Sequence, residues 1–287
     1  MAVYGYSRQA FYQRHQLENV REANDQIVLK AVQKLRCRQP RVGARKLHRH
    51  LKRKGITTGR DRLIELIRRN GLLIRRRRNY KRTTNSKHRL KTYNNKIKVI
   101  KVQGPNQVYV SDITYIKVAT MYYYLFLVTD LFSRKIVGYN LHSNLTNAGA
   151  LAALRMALAQ RPKQDTETIH HSDRGIQYCS QEYIELLEKN RIDISMTEDN
   201  HVYENALAER INGILKKEFF LDRQPSIDVA QVAVRQSIQI YNKERLHMSL
   251  DYHTPEEIHN SQVSDYGSIK DRGSSEVLEA NFVNHYN

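Results

Sequence analysis

Hydrophobic positions in the first seventy residues follow a helical period. Between Asn19 and Leu35, the apolar side chains Val20, Ala23, Ile27, Ala31, Val32 and Leu35 recur at the spacing of one amphipathic helix. Past Pro40, residues Val42 to Leu51 predict a second, shorter helix stopped by Gly55. Thr58 is placed to cap a third helix carrying Leu63, Ile64, Leu66 and Ile67. Two short helices across a glycine-bearing turn have the layout of a helix-turn-helix. A plain three-helix bundle has the same periodicity, and the pattern does not separate the two. No leucine heptad run stands out here.

Beyond Pro105 the period changes to two. Val108, Val110, Asp112, Thr114 and Ile116 share one face of a predicted strand, which puts an acid on the apolar side. Aromatic and branched residues from Met121 to Val128 predict a second strand, and Lys135 to Leu141 a third. A helix over 146–159, a strand over 167–171, a helix over 181–189, a strand over 192–196 and a long helix over 204–219 follow. The order is βββαβαβα. The expected fold class is α/β, a mixed five-stranded sheet flanked by helices and preceded by an all-α basic domain. The expected organisation is a helical domain over 1–74, a basic linker over 75–104, a core with C-terminal helices over 105–260, and a flexible tail over 261–287.

Charge divides the chain in the same place. Residues 1–103 hold 30 lysines and arginines against 5 acids, whereas residues 104–287 hold 18 against 24. A basic half of this density repels itself unless a polyanion neutralises it, and arginine forks suit phosphate. Nucleic acid is the implied partner. Arg45, Lys46, Arg60, Arg62, Arg68 and Arg69 on the helices are candidate DNA contacts, with Arg75, Arg76, Arg77 and Arg78 in the linker. Cys37 and Cys179 provide neither a disulfide framework nor a Cys-rich zinc site. No apolar run approaches the roughly 18 residues that span a bilayer, so the expectation is a soluble, cytoplasmic protein without a membrane partner.

The acidic half contains an Asp on a strand (Asp112), an Asp directly after a strand (Asp173) and a Glu on a helix (Glu209), with 60 and 35 residues between successive members. Neighbouring strand ends and a helix packed across them can bring all three to one point. Converging carboxylates raise one another's pKa unless cations intervene, and magnesium accepts such oxygens while keeping water and phosphate ligands. Two ions roughly 3.5–4 Å apart suit phosphodiester cleavage and transfer.

Four ordered motifs carry a resemblance: "DITYI" at 112–116, "HSDRGIQY" at 171–178, "ENALAERINGILKKEF" at 204–219, and "YNKERLHMSL" at 241–250 with Thr254-Pro255 behind it. Together they resemble the second-frame transposases of the insertion-sequence IS-three family, DDE enzymes with a retroviral-integrase-like, ribonuclease-H-like core. The likeness spans about Val42 to Ile258. It implies a catalytic and metal-binding triad of Asp112, Asp173 and Glu209, using two Mg²⁺ ions for which Mn²⁺ can substitute. It also implies double-stranded DNA substrates, namely terminal inverted repeats and target DNA, cut to free a 3′-hydroxyl that then attacks another phosphodiester. Assembly as a homo-oligomer, an upstream-frame OrfA protein or frameshift fusion, and a nucleoid-associated bacterial setting are implied too. Two positions depart from the family: Tyr109 stands where Trp is frequent, and Ser111 where Thr is common.

Around the triad, Gln177 and Tyr178 are expected to touch DNA beside the small Gly175, and Lys216 to reach a phosphate from the helix face of Glu209. Asn205 and His171 are expected to support the site, and Arg245 to contact phosphate, a partner subunit or the catalytic core. His170 and His171, adjacent on a strand, point to opposite faces and make a poor metal pair. A catalytically inactive, transposase-derived DNA-binding regulator is the alternative reading, opposed by the three intact acids.

Overall fold

The computed structural model describes residues 8–74, 91–162, 167–198 and 206–261. The chain divides into two compact units, Met1–Arg78 and Asn79–Asn287. In the first, α1 (Arg8–Arg38), α2 (Ala44–Arg53) and α3 (Arg60–Arg69) enclose a core of Val28, Leu29, Val32, Leu35, Val42, Leu47, Leu51, Leu63, Leu66 and Ile67. The first helix is longer than its periodicity predicts, and three residues assigned to its apolar face, Val20, Ala23 and Ile27, are exposed. Gly59 rather than Thr58 caps α3, and no side chain bonds the helix start. Gly55 ends α2 at a φ of +73°, a left-handed conformation that suits glycine. Arg36 donates to the Leu72 carbonyl and so ties the segment after α3 back to α1.

The second unit is built on a mixed sheet ordered β3-β2-β1-β4-β5. Its strands are β1 (Val108–Val118), β2 (Met121–Asp130), β3 (Ile136–His142), β4 (Thr168–Ser172) and β5 (Ile192–Met196). The β1–β2 and β2–β3 pairs are antiparallel, while β1–β4 and β4–β5 are parallel. Antiparallel neighbours follow from the two short turns of the meander; parallel neighbours need helical crossovers, and α4 (Asn147–Gln160) and α5 (Gln181–Lys189) provide them. The α-helix α6 (Ala206–Glu218), a two-residue strand β6 (Arg223–Gln224), α7 (Ile227–Lys243) and α8 (Pro255–Asn260) complete the unit.

Alternation along β1 gives each sheet face its own core. Tyr109, Phe126, Val128 and Val137 pack with Leu151, Leu154, Tyr183 and Leu187 of α4 and α5. Ile116, Val118, Leu125 and Leu127 pack with Ile211 and Leu215 of α6 and Val234, Ile238 and Tyr241 of α7. Each such buried side chain contributes roughly 1.5–3 kcal/mol relative to exposure.

The central strand β1 is paired incompletely along one edge. It bonds β4 only over 108–110 and β6 only at Lys117 and Val118, which leaves the stretch between them without a strand on that edge. The described part of the expected linker is not a free tether. Tyr93 packs on one core and Ile97 and Val102 on another, Lys96 N–H donates to Ser195 Oγ (2.9 Å), and the ammonium groups of Lys96 and Lys98 reach Asp193 (2.6 Å) and Glu198 (2.8 Å). Residues 75–90, with the four consecutive arginines, lie outside the described residues, as do 262–287 of the expected tail.

Helix α4 crosses the sheet at glycine. A Cβ on Gly138 would stand 2.1 Å from the Ala153 carbonyl oxygen, backbone that cannot yield. Gly138→Ala is expected to destabilise the second unit by about 1–3 kcal/mol, read as a lower midpoint in urea denaturation at unchanged m-value.

Candidate active site

Asp112 lies on β1 inside the stretch that lacks a strand neighbour, on the face that α6 covers. Its carboxylate accepts from Ile113 N–H (2.9 Å) and from the Asn212 side-chain amide of α6 (2.7 Å). Asp173 follows β4 directly and accepts from the Gly175 N–H at 3.1 Å. Glycine gives that turn room: a Cβ there would stand 3.0 Å from the Asp173 carboxylate and 3.3 Å from the Gln177 side-chain oxygen, and both would have to give by a few tenths of an ångström. Glu209 lies in the first turn of α6.

The three acids sense one another. Burial, then the Asp173 carboxylate and more weakly that of Glu209, push Asp112 up to about 8, against the Ile113 N–H and the Asn212 amide, which favour the charged form. Burial and Asp173 raise Glu209 as well. An all-oxygen donor set with suppressed ionisation fits a hard divalent cation. The Asn212 side-chain oxygen, buried beside Asp112 and lacking a hydrogen-bond partner, is a further oxygen that an ion's water shell would satisfy. Among the described residues, no three His, Cys, Asp or Glu side chains stand close enough to hold an ion as they are. Asp112, Asp173 and Glu209, with Asn212 beside them, are the residues that would hold such an ion.

The surroundings divide into polar contacts and packing. Lys216 projects from α6 with its ammonium 4.0 Å from the centre of the Tyr115 ring. Burial lowers its pKa, while the Asp112 and Asp222 carboxylates oppose that shift. His170 is fully buried, with Nε2 at 2.7 Å from Ser111 Oγ and 2.9 Å from Tyr183 OH; burial, with His171 beside it, pushes it down to about 3, so the ring stays neutral. His171 turns to the other face and meets Ser195 Oγ at 2.9 Å. Ser111 and His171 thus knit β1, β4 and β5 together next to the acids.

Several expected DNA contacts have other partners. Tyr178 is buried, 2% exposed, against His170 and Tyr183, because the turn after Asp173 directs its ring inward. Gln177 donates to the Leu145 carbonyl at 2.9 Å. Arg245 is 5% exposed, grips Glu218 through two bonds of 2.7 and 2.8 Å, and meets His247; it fastens the end of α7 to the end of α6. Arg62 bonds Asp25 of α1 (2.8 Å), so it braces the three-helix unit. Arg60 pairs with Asp61, and Arg68 and Arg69 with Glu65. These are exposed pairs, weak enough to yield to phosphate. Arg45 is exposed and Lys46 half-buried on α2. Asn205 lies outside the described residues, as do Arg75 to Arg78. Sequence reasoning missed Asn212 and Tyr115. Asn212 is three residues after Glu209 on one helix, a spacing that places it on the same side.

The mixed sheet ordered β3-β2-β1-β4-β5, with helices on both faces, is the architecture of an integrase core. Models described as "Integrase core domain" match residues 102–201 and 190–255. Among curated proteins, the IS600 31 kDa protein of Shigella sonnei is 34% identical over 88% of this chain and 94% of its own length. The transposase InsF for insertion sequence IS3A of Escherichia coli is 30% identical over 86% and 85%. The HTLV-2 integrase catalytic core domain in complex with magnesium aligns with 55% of this chain and 98% of its own at 22% identity and a TM-score of 0.44. The chain belongs to the IS3 family of insertion-sequence transposases. No helix among the described residues is long and apolar enough to cross a membrane.

Two outcomes are expected. Asp112 has its folded pKa near 8, above its ordinary 3.8, so its contribution to stability is present at low pH and is lost as pH rises through that window. In EDTA, Asp112→Asn should therefore flatten the fall in melting temperature between about pH 5 and 8, measured by calorimetry. Arg245→Ala should destabilise the fold by about 1–3 kcal/mol, because it removes two charge-assisted bonds to a Glu218 that stays partly exposed to water, and Arg245→Lys by less, measured by denaturant titration.

Proposed function

We propose that this transposase binds the ends of its element and catalyses magnesium-dependent strand cleavage and strand transfer through Asp112, Asp173 and Glu209. The observation that carries the reading is Asp112 itself. A carboxylate buried on the apolar side of a central strand, held by Asn212 and opposed by two further acids, is a poor structural choice and a good cation ligand.

When bound, a pair of Mg²⁺ ions neutralises phosphate charge, activates the attacking oxygen and stabilises the leaving one. The chain's own residues do the rest. Asp112 and Asp173 fix the site from the strand side, with Asn212 holding one Asp112 oxygen and the Gly175 N–H holding Asp173. Glu209 closes it from α6. Lys216, kept over Tyr115, offers its ammonium to a phosphate oxygen next to the reacting one. In the first step water attacks phosphorus, the bond to the element's 3′ oxygen breaks, and that oxygen leaves as a hydroxyl. In the second step the 3′-hydroxyl attacks a target phosphodiester; a new P–O bond forms as the target's own P–O bond breaks. Arg60, Arg68 and Arg69 on α3, with Arg45 and Lys46 on α2, supply charge for a helix-turn-helix-like duplex contact, and the basic run over 75–90 adds phosphate neutralisation.

The test is incubation of the protein with labelled element-end duplex and Mg²⁺. Nicks confined to the end, followed by joined products, support the reading; shifted bands without covalent change would show a regulator, and cuts without joining a simple nuclease. Asp112→Asn, Asp173→Asn and Glu209→Gln should each lower cleavage by at least about a thousandfold while DNA retention on gels is kept. Activity in any one of them removes that residue from the triad.

A further inference from the structure

The segment that leads into the sheet grips the chain on both sides of the connection between β5 and α6. Lys96 N–H donates to Ser195 Oγ on β5, and the Lys98 ammonium reaches Glu198, two residues past the end of that strand, at 2.8 Å. In the same stretch Ile97 and Val102 pack on the cluster of Val108, Val110 and Ala208, which Leu207 also joins. Leu207 and Ala208 lie in the first turn of α6, directly before Glu209. Ile211 and Leu215 hold the later turns of that helix to the sheet through a different core. Glu209 is itself exposed, so its place is set by its neighbours along the helix. Ala208, 4% exposed, is the buried residue next to it. A lone methyl makes few contacts, and what closes over this one comes from β1 and from positions 97 and 102.

We propose that residues 96–102 are a brace that positions Glu209, acting through the first turn of α6. The proposal rests on the reading of Glu209 as the third acid of the site. Magnesium demands oxygens at about 2.0–2.1 Å in near-octahedral array, so a carboxylate carried a few tenths of an ångström out of place binds it less well. Interiors are packed closely enough that losing a methyl or two beneath a helix start permits a shift of that size, because the surroundings relax only in part. Ile97 and Val102 are therefore positioning residues. The Lys98–Glu198 pair is exposed and adds little stability; it holds the chain leaving β5 against the brace, so that both ends of the connection into α6 are referred to one short stretch. Were Ile97 and Val102 mere core filling, their truncation would matter to the whole unit alike, in proportion to the volume lost.

The test sets Val102→Ala beside Val137→Ala, the same truncation in the core of the opposite sheet face. In the metal-free full chain, amide hydrogen exchange over residues 207–215 should be at least about fivefold faster in Val102→Ala than in Val137→Ala, because only the first loosens α6 locally. With labelled element-end duplex, the Mg²⁺ concentration that gives half-maximal cleavage should rise at least about threefold in Val102→Ala and stay put in Val137→Ala, with DNA retention on gels the same in both. Ile97→Ala should act like Val102→Ala, and Ile97→Val, smaller by one methylene, less. Equal exchange over 207–215 in the two valine variants overturns the proposal. So does a magnesium requirement that moves as far in Val137→Ala as in Val102→Ala. If no chain cleaves DNA, the reading of the site fails, and the exchange comparison still decides whether the brace holds α6. Should Val102→Ala not fold, Ile97→Val against Val137→Ala decides by the same two measurements.

Discussion

The second unit is organised around the difficulty of keeping Asp112 where it is. A carboxylate on the apolar face of a central strand loses hydration, and two more acids oppose its charge. What makes the position tolerable is local and specific: one backbone N–H, one amide from α6, and a stretch of β1 whose edge is open to side chains instead of strand bonds. Asn212 reaches that carboxylate from a helix packed on the same sheet face. The helices α6 and α7 then bury one sheet face as the support for that approach, and the Arg245–Glu218 grip pins their ends.

Hydrophobic period made much of this legible. The helix over Gln181–Lys189 and the strand over Ile192–Met196 match their predicted limits, because an asparagine and an arginine turn separate two short, strongly patterned runs. Asp112 was readable as an acid on an apolar face for the same reason. Less legible were features whose cause is remote in sequence. Arg245 resembles a phosphate ligand until Glu218, 27 residues away, is brought beside it. Tyr178 sits in a polar motif, and only the tight turn at Gly175 sends its ring inward. The first third of α1 carries no core-facing stripe, so its helical state left no period against a core to detect.

Charge segregation was readable at the scale of halves and misleading at the scale of residues. Arg62 braces α1 through Asp25, and Lys96 and Lys98 answer Asp193 and Glu198. The basic half commits some of its cations to its own few acids and others to acids of the second half, and composition does not say which.

The interrupted pairing along β1 has a mechanical side. Glu209 rides on an element that shares no ladder with the sheet, whereas Asp112 is stitched to β2 on its other edge. One jaw of the site is therefore woven into the fabric and the other merely leans on it. What ties the second to the first is the burial of Ile211 and Leu215 and not a strand hydrogen bond, so the distance between Glu209 and Asp112 is set by side-chain packing alone.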